Sequence, residues 1–400
     1  MHGRQLAPMT RFIPFAGGFR PFFLFAGVDA PFNMALWLLA YFAPAWWPAD
    51  AIPAMYWHAH EMIFGFVAAA IGGFLLTAVP GWTGRSSYAG APLAALAAIW
   101  LAGRIAMLPW LGIPPVIAAV VDLAFFPALV ITLTPPLVRA RKLRNMPFAV
   151  LLTILFLANL AFHLGLMGRF GGGVTMGLGI AIDVVAILIV VIGGRIVPAF
   201  TRSGLARRGI AVEIAPHPWL EYTAIAAVVA ALAADLISPN STDNGIVALI
   251  AGAAQAVRLA QWQGQRTLGD PLIWVLHLGY GWLALAFLLK GIWLIAGAEF
   301  AMKWLHALTA GAFATMILAV MTRASLGHTG RALIAPRPIA LAYLSLSVAA
   351  LVRVFGPAVV PGAYDATIAL AGGIWIAGFL LFLAVFAPIL LRARADGRPD

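Results

Sequence analysis

Histidines are the residues in this chain most able to do chemistry, and two of them sit in matching surroundings. His60 and His306 each lie in an apolar run, and the runs correspond at an offset of 246 residues. At that offset Gly65 meets Gly311, and Trp82-Thr83-Gly84-Arg85 meets His328-Thr329-Gly330-Arg331. Half the offset carries His60 onto Asp183 and Arg85 onto Arg208. An ionisable residue therefore recurs at 60, 183 and 306, and an arginine at 85, 208 and 331. Ionisable groups are expensive in hydrocarbon and mark function when they persist there. Neutral imidazole ligates haem iron, copper and zinc, so the spacing points to a metal or haem site among repeats.

The other candidates fall into the same picture. Trp57-His58-Ala59-His60-Glu61-Met62 places two imidazoles two residues apart. On a regular helix such residues point about 200° apart and cannot share one metal. Either the backbone is irregular there, or one imidazole faces a haem and the other a second metal or a hydrogen-bond partner. His163 and His277 are further candidate ligands. His328 is a candidate metal ligand beside Arg331, although Trp82 replaces it in the sister segment. Glu61 is read as a proton relay, an oxygen ligand, or a carboxylate favoured by a helix N-terminus. Asp183 must be protonated, paired or liganding, because an unpaired carboxylate at its depth is costly. Arg104 and Asp122 read as an ion pair between neighbouring helices. His60→Ala and His306→Ala are each expected to lower bound metal or haem.

The elements that position these residues follow from composition. The chain has 400 residues, is 63% hydrophobic and only 10% charged, and has a mean hydropathy of +0.97. Soluble domains are about 45–50% apolar and about 25% charged, so this is a polytopic membrane protein. Twelve apolar runs are long enough to cross: 22–43, 57–79, 91–109, 113–134, 147–167, 174–197, 219–238, 244–261, 271–295, 303–321, 336–356 and 366–390. The expected fold is all-α, with twelve transmembrane helices arranged as three four-helix repeats (12–139, 140–266 and 267–391) in one membrane domain. Pro21, Pro147 and Pro271 open the three units, where a missing N–H costs nothing. Loops are short, and only 198–218 and 322–335 are long enough to hold a small ordered segment. There is no cysteine, which excludes disulfides, thiolate ligands and covalently attached haem. The first span is expected to act as an uncleaved signal.

The net charge of +11 is a matter of topology. If the chain starts inside and alternates, all but five of its 25 Lys and Arg fall on the inner side, the five being Arg104, Arg169, Lys290, Lys303 and Arg353. That bias puts both termini in the cytoplasm. Nucleic-acid binding would need a soluble basic face, which short loops cannot make. In this topology His58, His60, Glu61, His163, Asp183 and His306 share the outer half of the membrane, while His277 lies nearer the inner side. No G-x-S-x-G, H-E-x-x-H or P-loop is present, and Met62-Ile63-Phe64 follows His60-Glu61 where a zinc protease would repeat its histidine.

Several segments together resemble a known family. They are Phe19-Arg20-Pro21-Phe22-Phe23, Trp57-His58-Ala59-His60-Glu61-Met62, and Ala78-Val79-Pro80-Gly81-Trp82-Thr83-Gly84-Arg85. Further along come Asn159-Leu160-Ala161-Phe162-His163, His277-Leu278-Gly279-Tyr280, His306-Ala307, and Met321-Thr322-Arg323 running on to His328-Thr329-Gly330-Arg331. They resemble the NnrS family of bacterial membrane proteins along nearly the whole chain. The resemblance implies a protein of the inner (cytoplasmic) membrane that contains haem, read here as haem b, and copper. It implies a role in the response to nitric oxide and nitrosative stress, often beside denitrification, with nitric oxide as ligand and a respiratory-chain electron donor as partner. The family's histidines carry over onto His58, His60, His163, His277, His306 and His328. If the protein is catalytic, iron binds the gas and a neighbouring copper or carboxylate supplies charge or protons. A weaker likeness is to the core subunit of haem–copper oxidases and nitric oxide reductases. This chain lacks their adjacent His-His pair and has Asp183 where a histidine would stand. A proton-coupled secondary transporter and an assembly factor for such a respiratory complex are the alternatives.

Overall fold

The computed structural model describes residues 12–141, 143–214 and 217–398. The helical rods are α1 (Phe19–Phe42), α2 (Ala54–Thr83), α3 (Ala91–Ala106), α4 (Pro115–Arg139), α5 (Pro147–Leu166) and α6 (Gly173–Arg207). They continue with α7 (Pro218–Ile237), α8 (Thr242–Ala260), α9 (Pro271–Ala296), α10 (Glu299–His328), α11 (Arg337–Val359) and α12 (Tyr364–Leu390). No strand occurs among the described residues.

Ten of these rods are long and apolar enough to cross a bilayer, all but α3 and α8. α3 has 16 residues, about 24 Å at 1.5 Å each, short of a ~30 Å hydrocarbon core. α8 has 19 residues, but Asp243, Asn244, Gln255 and Arg258 lower its hydropathy. Helix starts follow local chemistry. Proline opens α5, α7 and α9, Ser241 Oγ accepts the Asn244 N–H at 3.1 Å ahead of α8, and Asp270 Oδ1 accepts the Leu272 N–H at 3.1 Å ahead of α9. Gly84 and Gly297 end α2 and α9 at φ 69° and 62°, a left-handed turn that suits glycine.

Two expected loops turn out to be partly helical. α6 continues ten residues past 197, through Pro198, because Val197, Thr201, Gly204 and Leu205 stay packed against the core. α10 runs on to His328, which is the last residue of a helix and not part of a loop.

The depth of burial separates a central layer from a lipid-facing one. α2, α6, α9 and α10 are the most buried of the ten apolar rods and α7 is the least. α2, α6 and α10 line a wholly apolar cavity of about 70 Å³, with Phe23 of α1 at its wall. Ile131, Ile237 and Val359 are outward-facing examples of the apolar surface that lipid would cover. The ring of helices closes where α12 returns to α1. There Arg20 Nη1 donates to the carbonyls of Leu390 and Arg392, both at 2.8 Å. The start of α1 and the end of α12 therefore share one face.

Candidate functional site

Two irregularities in the backbone stand exactly one long offset apart. A π-helix runs from Glu61 to Val67, just after His60, and another from Ala307 to Phe313, just after His306. π-turns widen a helix by one residue and gather at functional sites. Each contains a glycine pressed against a neighbour. A Cβ on Gly65 would lie 2.6 Å from Asp29 Oδ2 and 3.2 Å from Arg104 Nη1, and one on Gly311 would lie 2.6 Å from the Trp282 ring. The matching part of α6 is plain α-helix.

The first cluster lies among α2, α3, α4 and α5. His60 Nδ1 pairs with Glu61 Oε1 at 2.9 Å. His60 Nε2 faces Asn159 Oδ1 at 3.0 Å and Asp122 Oδ2 at 3.2 Å. His163 Nε2 reaches the same Asp122 oxygen at 2.9 Å, and Asn159 Nδ2 donates to it at 2.7 Å. Arg104 bridges the two acids, donating from Nη1 to Glu61 Oε1 at 2.7 Å and from Nη2 to Asp122 Oδ1. All six side chains are buried, and Asp29 Oδ2 lies close by, buried and without a hydrogen-bond partner.

This geometry suits a metal ion. The donor atoms of His60, Asp122 and His163 all lie within 4.8 Å of one another. Ligands about 2.0 Å from a tetrahedral ion stand about 3.3 Å apart, close to the 2.9 and 3.2 Å separations found here. Two imidazoles and a carboxylate suit zinc, copper or iron. Arg104 fixes Asp122 by its other oxygen and leaves Oδ2 aimed at the imidazoles, the outer support such ligands need.

The second cluster lies among α6, α7, α8 and α9. Asp183 is within electrostatic reach of Asp235 and Lys290. Asp235 accepts from Lys290 Nζ and, at 2.7 Å, from Asn244 Nδ2. Lys290 is itself the cation of this group, and its ammonium lies 5.0 Å from the Trp304 ring centre.

The third cluster lies among α10, α11, α12 and α1, and His58 of α2 joins it. His306 is within electrostatic reach of His58, Arg353 and Lys303. The His58 ring stacks on Trp37 at 4.9 Å. Arg353 Nη2 donates to Tyr364 Oη at 3.4 Å, and Tyr41 Oη donates to Asp365 at 2.7 Å. His58 Nδ1 and Arg353 Nη1 are buried without hydrogen-bond partners.

The sequence-derived candidates are thus divided. His60, Glu61 and His163 meet in the first cluster, Asp183 stands in the second, and His58 and His306 share the third. His277 stands apart: its Nε2 pairs with Thr201 Oγ1 at 2.9 Å and its Nδ1 has no partner. His328 lies at the opposite end of α10 from His306, 5.5 Å from the Phe19 ring, with its carbonyl held by Arg394 at 2.7 Å. Neither belongs to any of the three clusters. Arg104 and Asp122 do form the expected ion pair, but it also carries the imidazoles, which the sequence reading missed. Asn159 was missed too, although its spacing of four from His163 puts both on one helix face.

The fold and this site define an all-helical, polytopic membrane protein with a buried His/Asp/His group. The family profile described as NnrS protein matches residues 14–394, and the chain belongs to the NnrS family. No curated protein matches the chain.

Proposed function

We propose that this protein is a haem- and copper-binding membrane protein of the nitric oxide response, with copper held by His60, Asp122 and His163. The observation that carries the reading is the convergence of those three buried donors from three helices at ligand–ligand spacing. Haem b fits the third cluster by its chemistry. His58 and His306 would hold its iron, and Arg353, whose Nη1 has no hydrogen-bond partner, would with Lys303 hold its carboxylates. When bound, the haem supplies an iron that takes a diatomic ligand such as nitric oxide. Nitric oxide partitions into lipid, so it needs no polar channel to reach such a site.

The proposed setting is the bacterial inner membrane. In it α3 and α8 also cross, giving twelve spans, three four-helix repeats and cytoplasmic termini. The matching π-helices support the repeats, and so does the placing of each polar cluster among the last three helices of one unit and the first of the next. The charge bias supports the orientation. An electron donor from the respiratory chain completes the proposal if nitric oxide is turned over.

The test is the purified protein, analysed for copper and iron and examined optically in its oxidised and dithionite-reduced forms, before and after nitric oxide. Stoichiometric copper and a Soret band that shifts with nitric oxide are expected. A colourless, metal-free protein from cells supplied with haem and copper would refute the reading and favour a proton-coupled transporter built on Asp183, Asp235 and Lys290.

A further inference from the structure

A cavity of about 510 Å³ adjoins the first cluster, on the face opposite the start of α1 and the end of α12. Its walls come from residues 48–53 and from the segment linking α3 to α4. Ala118, His163, Leu166 and Met167 complete its lining. His163 therefore borders the vestibule on one side and touches Asp122 on the other.

Three indoles hold the walls in place. Trp47 Nε1 donates to Ile52 O at 2.9 Å, Trp57 Nε1 to Met107 O at 2.8 Å, and Trp110 Nε1 to Trp46 O at 3.1 Å. The Trp47 ring packs edge-on against Trp57 and Trp110, at 5.2 and 5.4 Å. The vestibule is thus a built feature and not a gap between slack loops.

Its lining is chemically selective. Asp50 contributes to the lining, and Met107 and Met167 line the same cavity as His163. Thioether and imidazole together favour soft univalent ions over hard divalent ones.

We propose that the ion site of His60, Asp122 and His163 is filled through this vestibule by a soft univalent metal ion, passed from Met107 and Met167 to His163. This rests on the metal reading of the first cluster and adds its route and the form of the ion.

The chain has no cysteine, so Ile113→Cys in the vestibule wall gives a single labelling site. Silver(I), which is redox-inert and shares these ligand preferences, is the probe. Its uptake by metal-free protein is followed by rapid desalting and metal analysis. Ile113→Cys protein capped with iodoacetamide, which leaves no free thiol to bind silver, is expected to load like the parent. After a bulky maleimide is attached, loading slows at least tenfold while final occupancy is unchanged. The Met107→Leu/Met167→Leu double variant slows silver loading but not zinc(II) loading. Unchanged loading after labelling overturns the route, and unchanged silver loading in the double variant overturns the methionine relay. A parent protein that takes up neither ion at equilibrium instead overturns the metal reading itself.

Discussion

His58 and His60 are separated by one residue and belong to different clusters: His60 faces Asp122 at 3.2 Å, while His58 stacks on Trp37 at 4.9 Å. The helix is regular through both residues and turns π only at Glu61, so the two imidazoles leave α2 in different directions. One turn of helix thereby serves two sites.

That division predicts separable losses. His60→Ala and His163→Ala should each lower bound copper at least tenfold and leave the haem absorbance within about a quarter of the parent, in keeping with the usual cost of losing a ligand or its support. His58→Ala and His306→Ala should do the reverse. Metal analysis and a Soret spectrum on the same samples check this, and a loss of both cofactors in all four variants would argue for one merged site.

Arg104 donates to both Glu61 and Asp122 in the first cluster. Removing one partner of a buried ion pair costs about 3–5 kcal/mol. Arg104→Met should therefore lower the midpoint of thermal unfolding in detergent markedly. Arg104→Lys should recover only part of it, because an ammonium cannot bridge both carboxylates as a guanidinium fork does. Equal stability of Arg104→Met and the parent would mean that the pair is not formed.

Gly65 and Gly81 lie in the same rod and should respond oppositely to alanine. A Cβ on Gly65 strikes Asp29 Oδ2, and such overpacking costs about 1–3 kcal/mol. A Cβ on Gly81 meets nothing within 4 Å, so Gly81→Ala should be neutral or gain about 0.5–1 kcal/mol of helix preference. Unfolding midpoints of the two variants decide the matter.

The segment after α12 should release in acid. Arg394 hydrogen-bonds Asp396 and holds its carboxyl below the ordinary 3.8. A lowered carboxyl stabilises the docked form above that value, and the contribution fades as pH falls through the folded value. Arg394 also clasps the His328 carbonyl, and the Ala395 N–H reaches Thr329 O at 2.9 Å. Tryptic cleavage after Arg392 should be slow at neutral pH in the parent and faster in Asp396→Asn. Identical cleavage would show that the contact does not hold the segment.

How much could be read in advance differs between fold and site. Helix positions were legible because apolar runs and prolines mark them directly, although α2, α4, α6 and α10 all run on past the ends that hydropathy alone indicated, α6 and α10 furthest. The link between His60 and His306 was legible as a repeat, and both are followed by π-helices. What the repeat could not reveal is which neighbours each residue meets. His60 and His306 match in sequence but face different helices and different partners, so the chemistry diverged at matching positions. Asp122 and Asn159 were hidden because a lone polar residue in an apolar run looks alike whether it pairs with an arginine or supports an imidazole. His328 was singled out by its motif, and α10 places it at the far end from His306.

X-ray absorption at the copper edge of the purified protein tests the central claim most directly. The account predicts about three or four nitrogen and oxygen neighbours near 2.0 Å, with two showing the outer-shell scattering of imidazole. It predicts that Asp122→Asn changes the spectrum while His277→Ala leaves it unchanged. A copper spectrum unaltered by both His60→Ala and His163→Ala would contradict the site.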